Sequence, residues 1–204
     1  RQTVLAGAKE SLFFCYGSLL RETGPANLHA LRPCIPDLLQ VADEVRQREP
    51  IGVAAYKPPN SHPANEPRVF DFVGMIGVPL VPCHEFPSDA KAAFFSVHAL
   101  NDPNLAEKLS ELIHRGVPIL VTDGLVQRLE GHLPLDAPNV RSLPVNGNPK
   151  SLLDMPQADL DAVRQHLLKP LNRTFKAPNR VALYLFNDQS WVVENFSDTA
   201  ATVQ

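Results

Sequence analysis

Three adjacent residues, Cys83-His84-Glu85, supply a thiol, an imidazole and a carboxylate, the side-chain types that cysteine hydrolases combine. Their adjacency works against them as a unit. Successive side chains of an extended chain point to opposite faces, so Cys83 and His84 diverge. No Gly-x-Cys-x-Gly or Gly-x-Ser-x-Gly segment is present to lift a nucleophile onto a strand-to-helix elbow. No catalytic set is therefore expected. Cys83, His84 and Glu85 are the nearest the chain comes to one, and Cys83 is expected as a packed thiol. Cys15, Cys34 and Cys83 are odd in number, far apart and without metal-type spacing, so reduced and mostly buried thiols are expected.

Other polar groups gather around the ends of short apolar runs. Tyr56, Lys57, Asn60, Ser61 and His62 follow the first run. Cys83, His84 and Glu85 follow the second; His98, Asn101 and Asp102 the third; Asp123 the fourth. In an open parallel sheet these positions share one edge, where ligands bind beyond the carboxyl ends of the strands. Tyr56, Lys57, Asn60, His62, His84, Glu85, His98 and Asp123 are accordingly the ligand-binding candidates. His62, His84, His98 and Glu85 lack helical His-x3-His spacing, so no metal centre is expected. No Gly-rich phosphate loop occurs, since Gly74-Met75-Ile76-Gly77 reads as a helix end, and no cofactor is expected. Glu66 and Asp71 read as charges at a helix start, complementing its dipole.

The elements that must position these groups are read from periodicity. Strands are expected over 51–56, 78–81, 92–97 and 117–122, with a further strand over 140–145. Between them, Glu66-Pro67 opens a helix whose buried face is Val69, Phe70, Val73 and Ile76. Asp102-Pro103 opens another carrying Leu105, Leu109, Leu112 and Ile113. Helices between strands supply the crossovers that parallel pairing needs. Upstream, a strand over 12–16 precedes a helix over 34–47. Downstream, a helix over 157–168 leads to strands over 180–186 and 190–196 joined by Asn187-Asp188-Gln189, a hairpin signal, and 200–203 is expected to add a third strand. The organisation is a strand–helix segment (1–48), an α/β unit (49–155) and a C-terminal helix with β hairpin (156–204).

Composition bounds the function. The chain has 204 residues, 44% of them hydrophobic and 20% charged, at a net charge of −3. That suits a globular domain and disfavours nucleic acid, which needs a basic surface. No apolar run reaches the roughly 20 residues that span a bilayer, so no membrane partner is expected. Arg1 opens the chain without an initiator Met or an apolar leader, which reads as a piece of a longer polypeptide or a processed product. The compartment is not legible there.

The stretch 51–124 resembles the class I glutamine amidotransferase-like fold, a flavodoxin-like parallel sheet with helices on both faces. More narrowly, it resembles the form of that fold placed behind the catalytic barrel in bacterial β-galactosidases of glycoside hydrolase family 42. AGAKESLFFCYGSLL (6–20) is similar to the last strand of such a barrel and 33–48 to its following helix. VALYLFNDQSWVVENFSDTAATVQ (181–204) is similar to the β-rich tail. The resemblance implies a non-catalytic scaffold or oligomerisation domain of a carbohydrate-processing protein. Its partners would be copies of itself or a catalytic barrel not included in these residues, and Tyr16, Gly17 and Ser18 would approach sugar. The place of the amidotransferase nucleophile reads Phe95-Ser96-Val97-His98-Ala99. The alternatives are a sugar-binding module using Tyr56, Asn60, His62 and His84, and a hydrolase centred on Cys83.

Overall fold

The structure, a computed structural model, describes residues 2–8, 20, 21, 24–131 and 133–204. The strand expected over 12–16, with Cys15, Tyr16, Gly17 and Ser18, lies outside the described residues. The chain forms two compact units, one of Arg1–Pro50 with Phe186–Ser190, the other of Ile51–Leu185 with Trp191–Gln204.

In the first unit a short helix α1 (Gln2–Leu5) is followed by α2 (Gly24–Leu31) and α3 (Ile35–Arg46), the last two joined by a single 3-10 turn, Arg32–Cys34. Pro36 falls in the first turn of α3, where its missing N–H costs nothing. Arg48 donates to Asp188 at 2.8 Å and the Glu49 amide donates to the Asn187 side chain at 3.2 Å. Cys34 is exposed, contrary to the expectation of a buried thiol, because it ends the 3-10 turn rather than entering the helix stripe.

The second unit is an α/β fold of flavodoxin-like order. Its strands are β2 (Val53–Tyr56), β3 (Leu80–Cys83), β4 (Ala93–Phe95), β5 (Ile119–Thr122) and β6 (Val140–Leu143). They form one sheet in the order β3-β2-β4-β5-β6, every neighbouring pair parallel. The strand expected over 51–56 is broken at Gly52, leaving β1 (Pro50–Ile51) apart from β2. A β-carbon at Gly52 would strike the Pro79 carbonyl, so only glycine lets these backbones approach. β1 belongs to a smaller sheet of order β1-β7-β8, in which β7 (Val181–Phe186) and β8 (Trp191–Asn195) pair antiparallel. Residues 200–203 form no strand. Their segment is instead tied by two backbone hydrogen bonds between Gln204 and Lys176, 2.8 and 2.9 Å.

Both faces of the large sheet are covered, which is why its strands read as continuous apolar runs. Phe94 and Leu120 point to one face, against Val69 and Val73 of α4 (Val69–Met75), Ile76 just after it, and Leu160, Val163 and Leu167 of α7 (Gln157–Leu168). Their neighbours Ala93, Phe95, Ile119 and Val121 point to the other. They meet Leu105, Leu109 and Leu112 of α5 (Leu105–His114) and Leu125 and Leu129 of α6 (Asp123–Leu129). The observed α6 begins at Asp123, directly at the end of β5. The Thr122 hydroxyl accepts the Leu125 amide at 3.4 Å, so the last residue of β5 caps the helix.

Two expected elements are displaced. α4 starts at Val69 rather than at Glu66-Pro67, because Arg68 takes the left-handed conformation at φ 59° and breaks helical continuity. β3 runs two residues later than expected and ends at Cys83.

Candidate functional site

Register sets the carboxyl edge. Cys83 pairs with Tyr56, Tyr56 with Phe95, Phe95 with Val121 and Val121 with Ser142, so the strand ends form one level row. The residues that follow, His84, Lys57, Ser96 and Thr122, therefore lie along one edge, and β2 and β4 flank the point where strand order reverses. The parallel sheet thus brings together the polar groups that were read from the ends of the apolar runs. Their side chains separate into four small arrangements.

Tyr56 is buried, its hydroxyl donating to Asp102 Oδ2 at 2.9 Å. Lys108 Nζ reaches the same oxygen at 2.7 Å, and the Asn104 amide donates to Oδ1 at 3.0 Å. Burial works to raise the Asp102 carboxyl, yet the hydrogen bonds from Lys108, the Asn104 amide and Tyr56 together hold it below the usual carboxylate range. The Tyr56 phenol is pushed up by burial and by its acceptor Asp102. Phe86 and Phe95 meet the Tyr56 ring edge-on, with centroids 5.3 and 6.0 Å away. The tyrosine is a strut, with no free hydroxyl for a ligand.

His98 is 5% exposed and its Nδ1 lies 2.9 Å from Ser61 Oγ. Burial lowers its pKa, helped by the electrostatic influence of Lys57 and His62, and favours the neutral ring. It has the chemistry of a weak base beside a hydroxyl. Among the described residues no carboxylate orients it, which a serine–histidine pair needs for nucleophilic work. Lys57, Asn60 and His62, in the loop that carries Ser61, are exposed. His62 Nδ1 accepts the Ala64 amide at 2.9 Å, a local turn contact.

Asp123 lies at the amino end of α6. Its Oδ1 accepts the Gly124 and Val145 amides at 3.0 and 2.9 Å, and its Oδ2 accepts the Asn146 amide at 2.9 Å. These bonds fasten the loop after β6 to the end of β5. Cys83 is half-buried against the same cluster as Tyr56, and burial pushes its thiol up to about 11. It is protonated at neutral pH and a poor nucleophile. His84 and Glu85 are 78% and 90% exposed and 3.9 Å apart, directed away from that cluster.

The fourth arrangement was not legible beforehand. Glu66 is fully buried. Its Oε2 accepts the Val97 amide at 3.2 Å, while Oε1 faces Gly124 and has no hydrogen-bond partner among the described residues. Burial raises its carboxyl, offset in part by the Thr122 hydroxyl and the Val97 amide and reinforced by Asp123. The helix-dipole role expected of Glu66 is therefore overturned: Arg68 stops α4 short of it, and the side chain turns inward beneath β4. Ser96 follows β4, fully buried, and its Oγ is likewise without a partner among the described residues. The chain then enters a 3-10 turn, Val97–Asn101, in place of the α-helix that a nucleophile elbow requires. No sequence pattern marks Glu66, since a carboxylate beside a proline reads as surface.

Arg164 is 1% exposed and also escaped the sequence reading. Its Nε donates to the Ile76 carbonyl at 2.8 Å, and its two terminal nitrogens donate to the Ala177 and Pro178 carbonyls. Spacing did carry a signal here, because Arg164 stands four residues after Leu160 and three before Leu167, on the buried face of α7. Comparison of the chain with family models, with curated proteins and with solved structures gives no match.

Proposed function

We propose that this chain is a non-catalytic α/β accessory domain whose role is assembly within a carbohydrate-processing protein of the glycoside hydrolase family 42 type. One observation carries the reading. The carboxyl edge, where a sheet of this order would hold a substrate, has its central polar groups committed to the fold. Tyr56 is spent on Asp102, Asp123 on the Val145 and Asn146 amides, and Ser96, at the end of β4, is sealed from solvent. Catalysis needs an exposed, activated group at that point, and the thiol that ends β3, Cys83, is protonated. The resemblance of 51–124 to amidotransferase-like accessory domains supplies the carbohydrate context.

Light scattering coupled to size exclusion tests the assembly role. The chain is expected to elute as a concentration-dependent oligomer, or to bind a separately supplied family 42 catalytic barrel. A strictly monomeric particle at high concentration, with no affinity for such a barrel, overturns the reading.

A further inference from the structure

A cavity of about 650 Å³ opens at the carboxyl end of α7, lined by residues that include Lys169, Arg173, Thr174, Lys176, Asp161 and Phe175. Its size falls within the roughly 300–1,000 Å³ of small-molecule sites. The carboxyl edge of the sheet does not contribute to it.

The cavity exists because the chain doubles back. A 3-10 turn, Lys169–Leu171, ends α7, and Asn172 takes the left-handed conformation at φ 55°. The returning segment lays the Phe175 ring over the Arg164 guanidinium, 5.0 Å from the ring centroid, and buries it as part of the wall. Three cations are thereby held around one hollow. Lys169 and Lys176 are exposed and Arg173 is half-buried. Among the described residues none of the three forms an ion pair.

The carboxylate in the lining is already engaged. Asp161 accepts Gln157 Nε2 at 2.8 Å and lies 3.9 Å from the Arg164 guanidinium. Arg164 lies behind the wall, solvated chiefly by carbonyl oxygens, and its charge is set against that of Asp161. Lys169 can be explained as a partner of the helix dipole. Arg173 and Lys176 lie beyond the last turn and have no such explanation. A local excess of positive charge in a chain of net charge −3 marks a site for an anion.

We propose that this cavity binds a phosphorylated polyhydroxylated small molecule. Lys169, Arg173 and Lys176 hold the phosphate and Thr174 meets a hydroxyl of its body. Arginine is suited to grip a phosphate with two parallel hydrogen bonds, and the lysines add point charge. The site is separate from the assembly role, so either can fail without the other.

Calorimetry at physiological salt with glucose 6-phosphate, inorganic phosphate and glucose tests it on the whole chain. Saturable binding of the ester is expected, weaker binding of inorganic phosphate and none of glucose. Arg173→Gln is expected to weaken the ester about tenfold, the loss of roughly one charge-assisted hydrogen bond. Lys169→Gln/Lys176→Gln, at exposed positions, is expected to weaken it with melting unchanged, and carries the test if Arg173→Gln disturbs folding. Absence of heat with both phosphates overturns the proposal, as does ester binding that survives the lysine changes. So does binding of heparin or RNA at these residues without the ester, which would make the patch a polyanion surface.

Discussion

The Glu66 carboxylate and Gly124 stand face to face inside the second unit, with the second carboxylate oxygen on the Val97 amide at 3.2 Å. A β-carbon at position 124 would fall within clash distance of Glu66 Oε1. A larger residue at position 124 would require the buried Glu66 side chain to shift. Gly124→Ala is expected to destabilise by about 1–3 kcal/mol, the usual cost of overpacking, despite alanine's better helix propensity. Urea denaturation measures it. Combining the change with Glu66→Ala should recover part of the loss; strictly additive costs would show that the two residues do not press on each other.

Glu66 also sets a pH dependence. Its carboxyl is raised in the folded state, chiefly by burial, above the ordinary value of 4.5. A raised acid favours the protonated native state, so its contribution is full below about pH 4.5 and is lost as pH rises through the folded value. Glu66→Gln removes the titration and keeps an oxygen for the Val97 amide. The variant should gain stability relative to the parent as pH increases from 4 to 8. Parallel stability profiles would place the Glu66 carboxylate in water rather than in the core.

His98 works in the opposite direction in a neighbouring window. Its lowered value, caused first by burial and then by Lys57 and His62, favours the neutral ring. That contribution is present above about pH 6.5 and is lost as pH falls through the folded value. Titration of the ring by NMR is expected to show a midpoint below 6.5. A midpoint at or above 6.5 would contradict the buried placement.

Asp123 joins two parts of the sheet edge through the Val145 and Asn146 amides. Asp123→Ala leaves both donors without their acceptor and should cost about 1–3 kcal/mol. Hydrogen exchange at those two amides should accelerate well beyond the global change. Unchanged protection there would mean that the carboxylate does not hold the loop.

Cys83 should react with a neutral-pH thiol reagent more slowly than free cysteine, because burial raises its thiol to about 11. Exposed Cys34 provides the internal comparison, and the double change Cys15→Ser/Cys34→Ser isolates the Cys83 signal. Labelling of Cys83 at or above the free-cysteine rate would reopen the hydrolase alternative.

Periodicity alone determined the parallel sheet, the helix over 157–168 and the C-terminal hairpin. Burial on two faces imposes continuous apolar runs on strands, and burial on one side imposes a three-and-four stripe on helices, so both patterns are written in residue order. The same logic placed Tyr56, His98 and Asp123 at one edge. What those side chains do there was decided by tertiary contacts. Tyr56 meets Asp102, 46 positions later, Glu66 meets Val97, 31 later, and Arg164 meets Ile76, 88 earlier. Hydrogen bonding of this kind depends on distances across the fold, and residue type gives no sign of it. A buried carboxylate and a solvated one are the same letter, and only the packing around Gly124 and Val97 separates them.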